Sequence, residues 1–214
     1  MMKIFSIVLF IFYVICLVGC GQLQGDSYAN QKELREYTLR APTSTMTMNL
    51  PASFDLNLTP NDTSAPELDE FSSTHGTNLP AQGEYLGKPT DDTRFFFWTS
   101  YVSFDIPSIE AKTGTSFTPN LEGSISSYIN SMKQKYALTY DVEDSMIGGS
   151  NAKLVTIKYN REGNPSIQKA VFIIQNEDLW QIRFICLDDE TTRSNELKLI
   201  DNIIQDIKLS KSNN

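Results

Sequence analysis

Histidine and cysteine are scarce in this chain, and their scarcity narrows its chemistry. The one histidine is His75, beside Gly76 in a stretch crowded with proline, glycine, serine, threonine and aspartate. A general base or metal ligand there needs partners held in place, and none stands at a recognisable spacing, which leaves a surface loop residue. No GxSxG elbow, HExxH pair, CxxC pair or phosphate-binding glycine loop occurs. The sequence therefore predicts no enzyme, no catalytic residue, no metal ligand set and no cofactor. Of the three cysteines, Cys16 and Cys20 lie near the start and Cys186 stands alone in the apolar run Ile182 to Leu187. A small buried hydrophobe is the role expected of Cys186. With no cysteine pair in the body of the chain, the fold has to rest on core packing. Basic residues are also outnumbered, 18 lysines and arginines against 26 aspartates and glutamates, for a formal net charge of −8. That balance is poorly suited to nucleic acid or to anionic headgroups, so no nucleic-acid partner is expected.

What is present begins at the N-terminus. Behind Lys3 an apolar stretch runs from Ile4 to Val18. It has the length of a secretory h-region and falls short of the roughly 20 residues a spanning helix needs. It closes on Leu17-Val18-Gly19-Cys20. This ending resembles the lipobox of bacterial lipoproteins, with small Gly19 directly before the cysteine. The resemblance implies that residues 1–19 are removed as a signal peptide and that Cys20 is lipidated. More than one acyl chain, at about 0.8 kcal/mol per buried methylene, gives stable anchoring where one alone is marginal. The implied address is the cell envelope: the outer leaflet of the cell membrane in a monoderm, or the periplasmic face of the outer membrane in a diderm. Gly21 stands where inner-membrane retention in some diderms is associated with aspartate.

From Cys20 to residue 36 the chain is polar and reads as a lipidated cysteine with a flexible tether, whose coil-like reach is roughly 20–24 Å. Residues 37–58 suggest two or three short strands, with Met46, Met48 and Leu50 alternating against Thr45, Thr47 and Asn49. Residues 60–94 read as a loop insertion, long for a compact domain, with a short helix around Pro66 to Ser72. Phe95 to Asp105 holds six aromatics and reads as a central strand covered on both faces. Leu121, Ile125, Tyr128, Ile129, Met132 and Tyr136 mark a helix face behind a cap at Thr118-Pro119. Strands follow at Leu138 to Met146, Lys153 to Tyr159, and Ala170 to Gln175 leading into Leu179 to Leu187. Their turns fall at Gly148-Gly149, within Arg161 to Pro165, and at Asn176-Glu177-Asp178. Short turns make neighbouring strands antiparallel. A closing helix capped near Ser194 should bury Leu197, Ile200, Ile203, Ile204 and Ile207.

This order resembles the PsbP-like fold, named for a photosystem II subunit and shared with a small Ran-binding nuclear import factor and with bacterial lipoproteins. The matching stretches are Leu50-Pro51-Ala52-Ser53-Phe54, the segment from Ile147 to Val155, and Leu179-Trp180-Gln181-Ile182-Arg183-Phe184 before the last helix. The resemblance spans residues 37–210 apart from the insertion. It implies an α+β class, an antiparallel β-sheet sandwiched between helices as an α/β/α sandwich. It carries no functional residues, because the fold has no shared chemistry.

Two kinds of feature remain as candidate sites. Acidic clusters stand at Asp91-Asp92, at Asp141, Glu143 and Asp144, and at Asp188-Asp189-Glu190. Solvated strand ends are the plain reading; a divalent-cation site needs the last two to converge, and neither has Ca²⁺-loop spacing. The aromatics Phe95, Phe97 and Tyr101 alternate with Phe96, Trp98 and Phe104. Both sets suit a core, but if one helix layer is incomplete, Phe96, Trp98 and Phe104 line a groove for a peptide or partner. Asn57 and Asn61 open sequons that a bacterial origin makes chance matches. The expected function is a non-enzymatic binding or assembly lipoprotein, held to the membrane through lipid on Cys20 and holding an envelope protein partner. The alternative is a lipoprotein that binds a small molecule or a divalent cation.

Overall fold

In the computed structural model, which describes residues 33–59, 81–89 and 94–212, three tight turns set the register of the main sheet. Strand β6 (Leu138–Ile147) turns into β7 (Ser150–Arg161) through Gly148-Gly149, with φ of 58° and 81°. β7 turns into β8 (Asn164–Gln175) through Glu162-Gly163, with φ of 54° and 87°. Two positive values in a row are type I′ geometry, whose twist matches the flanking strands. β8 turns into β9 (Asp178–Leu187) at Asn176-Glu177, where Asn176 takes φ of 56°. The other strands are β1 (Leu34–Arg40), β2 (Ser44–Pro51), β3 (Phe54–Thr59), β4 (Ala81–Pro89), β5 (Phe95–Ser103) and β10 (Lys208–Lys211). All pair antiparallel, in a seven-stranded sheet of order β3-β4-β5-β9-β8-β7-β6 and a three-stranded sheet of order β1-β2-β10. The helices among the described residues are α1 (Ile106–Thr113), α2 (Leu121–Lys135) and α3 (Glu190–Gln205). The fold is α+β, as expected.

Period-2 alternation sends the sheet's side chains to two separate cores. On one face Phe95, Phe97, Ile167, Val171, Ile173, Trp180, Ile182 and Phe184 meet Leu199, Ile200, Ile203, Ile204 and Ile207 of the α3 segment. Met46, Met48 and Leu50 of β2 close the same core, so the small sheet and α3 share one layer. On the other face Val155, Ile157, Tyr159, Ala170 and Phe172 meet Ile125, Tyr128, Ile129 and Met132 of α2. α1 covers a smaller cluster through Ile109, packed with Val102, Phe104 and Leu179. The main sheet is thus covered by helix on both faces.

The structure corrects several boundaries. β1 begins at Leu34, inside the stretch assigned to the tether. The insertion at 60–94 holds β4, a strand that its glycines and Pro89 obscure and that pairing with β3 and β5 on either side stabilises. α2 is capped by Asn120, whose side-chain oxygen accepts from the Glu122 N–H at 2.9 Å, and not by Thr118-Pro119. α3 starts at Glu190 instead of near Ser194, because its first turn is polar and carries no apolar period. α1 and β10 were not anticipated. α1 is short, but Asp105 caps it by accepting from Ser108 N at 3.1 Å, and Gly114 ends it at φ 66°. β10 lies against the Gly148 turn, where a side chain on Gly148 would meet Leu209 N at 2.9 Å. The signal segment with Cys20, the helix around Pro66 to Ser72, His75 and Asp91-Asp92 lie outside the described residues. Among the described residues no helix is long and apolar enough to cross a membrane.

A buried carboxylate ties the two sheets together. Asp178, at the start of β9, is fully buried and accepts from Ser44 Oγ at 2.6 Å and from Thr43 N at 3.0 Å. Trp180 Nε1 donates to the same Ser44 Oγ at 2.8 Å. Asn176 Nδ2 donates to the Thr43 carbonyl at 2.9 Å, fixing the β1–β2 loop to the β8–β9 turn. Asp178→Ala strands two donors away from water and should cost about 2–3 kcal/mol. Asp178→Asn keeps an acceptor and should cost less. Urea unfolding midpoints of the two variants check this; equal losses would deny the carboxylate its tying role.

Candidate binding surface

The register of β5 on β9 sets Phe96 opposite Ile185, Trp98 opposite Arg183, and Ser100 opposite Gln181, all on the face that α1 and α2 cover. α2 packs over β7 and β8, and α1 packs near the far end of β5, so the middle of this β5–β9 strip lies between them. At the end of the strip away from α1, Phe96 is 51% exposed and Leu187, at the end of β9, is 46% exposed. Ile185 between them is half-buried. Together they form an apolar strip.

Beside the strip the Arg183 guanidinium stacks on Trp98, its carbon 3.2 Å from the ring centroid, and lies 5.6 Å from the Tyr128 ring centroid. Stacked arginine keeps its charge and its donors while covering an aromatic face. Its Nε is buried with no hydrogen-bond partner, as is Gln181 Nε2 nearby on the strand. Tyr128 in turn accepts from Gln168 Nε2. Among the three aromatics proposed as a groove, Phe96 is open and Trp98 is nearly buried beneath Arg183. Phe104 is buried in the α1 cluster, with its ring 5.5 Å from Phe117, because the chain leaves the sheet at Asp105 and folds α1 back over it. Arg183 was not anticipated as part of this surface. A signal existed, since it is a charge on the strand face opposite Trp180, Ile182 and Phe184, between Leu179 and the apolar Ile185 and Leu187.

The acidic groups separate. Asp141 and Glu143 alternate with Asp144 along β6 and so face opposite sides of the sheet. Lys153 Nζ takes Asp144 at 2.7 Å and Glu122 at 2.6 Å, and these two hydrogen bonds, Asp144 first, hold its ammonium above the usual lysine range. Asp188 and Asp189 follow β9, which β8 and β7 separate from β6. Among the described residues no group of three or more histidine, cysteine, aspartate or glutamate side chains is placed to hold a metal ion. A shallow cleft of about 570 Å³ lies by the β6–β7 hairpin, lined by Leu121, Asp144, Ser145, Met146, Asn151, Ala152 and Lys153. Cys186 is buried, and burial, reinforced by the negative charge of Glu196 and Asp188, pushes its thiol up to about 12. It is an inert core residue.

No family model and no curated protein sequence matches the chain. Among solved structures, it is similar to LpqN of Mycobacterium tuberculosis, described as involved in cell envelope biogenesis. The likeness has 16% identity and a TM-score of 0.45, and covers 86% of this chain and 96% of that one. A Pseudomonas aeruginosa protein of unknown function, PA94, is similar at 12% identity and a TM-score of 0.39, over 81% of this chain and 94% of that one.

Proposed function

We propose that this chain is a lipid-anchored cell-envelope protein that holds a protein partner and catalyses no reaction. The lipobox-like ending at Cys20 supports the anchor. The observation that carries the binding half is the exposed strip of Phe96, Ile185 and Leu187 beside the stacked Arg183. An apolar patch next to an arginine on an aromatic platform is the composition of an interface hot spot. The tether would let the folded unit stand off the headgroups and reach a membrane-bound partner.

Crosslinking and affinity recovery of the full-length lipoprotein from its native membrane tests this, beside Cys20→Ala and Phe96→Asp variants. The expected result is one dominant partner, reduced about thirtyfold or more by Phe96→Asp, the loss of about 2 kcal/mol expected for one hot-spot residue. Cys20→Ala should leave the protein out of the membrane fraction and diminish recovery. Recovery that ignores Phe96, or no partner from any form, overturns the reading. The cleft by Lys153 and Met146 favours a second reading, a small-ligand-binding lipoprotein. A metabolite screen that raises the melting temperature, with the rise lost in Lys153→Ala, would support it instead.

A further inference from the structure

Among the described residues β6 is the outermost strand of the seven-stranded sheet and pairs only with β7. Its backbone says which groups are left over. The type I′ turn at Gly148-Gly149 makes Ile147 and Ser150 the closing hydrogen-bonded pair of a two-residue hairpin. Hydrogen-bonded and non-hydrogen-bonded pairs then alternate along the ladder. Thr139, Asp141, Glu143, Ser145 and Ile147 therefore spend their backbone groups on β7. Leu138, Tyr140, Val142, Asp144 and Met146 turn theirs outward.

Natural edges are usually blunted by proline, a bulge, lysine or brevity. β6 has 10 residues, no proline and no lysine, and its register runs unbroken from Leu138↔Tyr159 to Ile147↔Ser150. Its charges are all acidic. Asp144 is already held by Lys153, whereas no ion pair among the described residues involves Asp141 or Glu143. On the face opposite these two acids Tyr140 is 46%, Val142 36% and Met146 64% exposed, with the Lys133 ammonium 4.7 Å from the Tyr140 ring centroid and Asp144 between Val142 and Met146. A second copy of β6 laid against this edge would bring acid against acid, which destabilises a strand pair. The unfilled need is for an extended chain that is basic on one face and apolar on the other.

We propose that the outer edge of β6 accepts a partner segment in extended conformation, with lysine or arginine alternating with apolar residues, added as an eighth strand. The segment's backbone would pair with Tyr140, Val142 and Asp144, its cations would sit over Asp141 and Glu143, and its apolar side chains would lie beside Tyr140 and Val142. This surface is separate from the Phe96 strip, and either can hold without the other.

The test uses the full chain in detergent and a capped synthetic peptide of alternating lysine and valine, with amide exchange followed residue by residue by NMR. Binding should slow exchange at Tyr140, Val142 and Asp144 by about tenfold or more, because outward amides become hydrogen-bonded. Asp141→Lys/Glu143→Lys should lose this protection and gain it with a peptide of alternating glutamate and valine. Val142→Pro should also abolish it: proline deletes an outward N–H while leaving the β7 bonds intact. The charge-reversed variant decides the matter if the proline variant does not fold. The proposal is overturned by unchanged exchange at saturating peptide, by equal protection from the acidic peptide on the parent chain, by protection that survives in a folded Val142→Pro variant, or by self-association through β6.

Discussion

Trp180→Ala is expected to lower the unfolding free energy by about 3–5 kcal/mol. Folded domains hold only about 5–15 kcal/mol in all, so this is a large share. Trp180 is fully buried near the start of β9, packs 5.3 Å from Tyr101 on β5, and lies opposite Ile173 on β8. Its truncation empties the layer where the main sheet, α3 and the small sheet meet. It also removes the indole donor from Ser44 Oγ, the group that Asp178 already holds. Trp180→Phe retains most of the ring volume but not that donor, and should cost less. At about 2–4 °C per kcal/mol for a chain of this size, the alanine variant should melt roughly 10 °C lower. Exchange at β2 should rise more than exchange at β7, since β2 rests on Trp180 and β7 rests partly on α2. A loss below about 1 kcal/mol on chemical denaturation would mean that the small sheet is not held through Trp180.

How much of this was legible can be seen residue by residue. The strands β6 to β9 and the helix α2 were readable because their signals are local: a pair of glycines, an asparagine turn, apolar residues at helical spacing. β4 was hidden because its stability is not local. Gly83, Gly87 and Pro89 look like loop residues, and the strand exists because β3 and β5 supply partners on both sides. Alternation correctly divided Phe95 and Phe97 from Phe96 and Trp98. It could not say that α1 would fold over Phe104 or that Phe96 would stay open, since both depend on where helices land. The same holds for Asp178. As a strand-end carboxylate it reads as solvated, yet the β1–β2 loop, distant in sequence, encloses it. The acidic residues of β6 were visible, but that they lie on an unpaired edge is a fact of topology.

Alkaline pH should destabilise the fold through two buried acids that belong to its two different cores. Burial, and secondarily the nearby Tyr128, pushes the Tyr159 hydroxyl from 10.0 up to about 12. Burial likewise pushes the Cys186 thiol from 9.0 up to about 12. For each group the native state keeps its proton after the unfolded chain has released it. Protons bound by the unfolded state are then fewer, so stability falls as pH rises. The contribution is complete below about pH 9 and is lost progressively towards pH 12. At about 1.4 kcal/mol per pH unit, Cys186 should cost about 3 kcal/mol and Tyr159 about 1 kcal/mol by pH 11. Among the described residues neither side chain donates a hydrogen bond, so both can be replaced conservatively, by Tyr159→Phe and Cys186→Ala. The double variant should start from a somewhat lower stability at pH 7 and then lose about 4 kcal/mol less than the parent by pH 11. Denaturant titrations at pH 7, 9, 10 and 11 on both proteins measure the difference in slope. Parallel pH profiles would place the alkaline transition elsewhere, for instance in the ion pairs of Lys153. A parent profile steeper than the variant's above pH 9 is the expected result, since only the parent holds these two protons in the native state after the unfolded chain has released them.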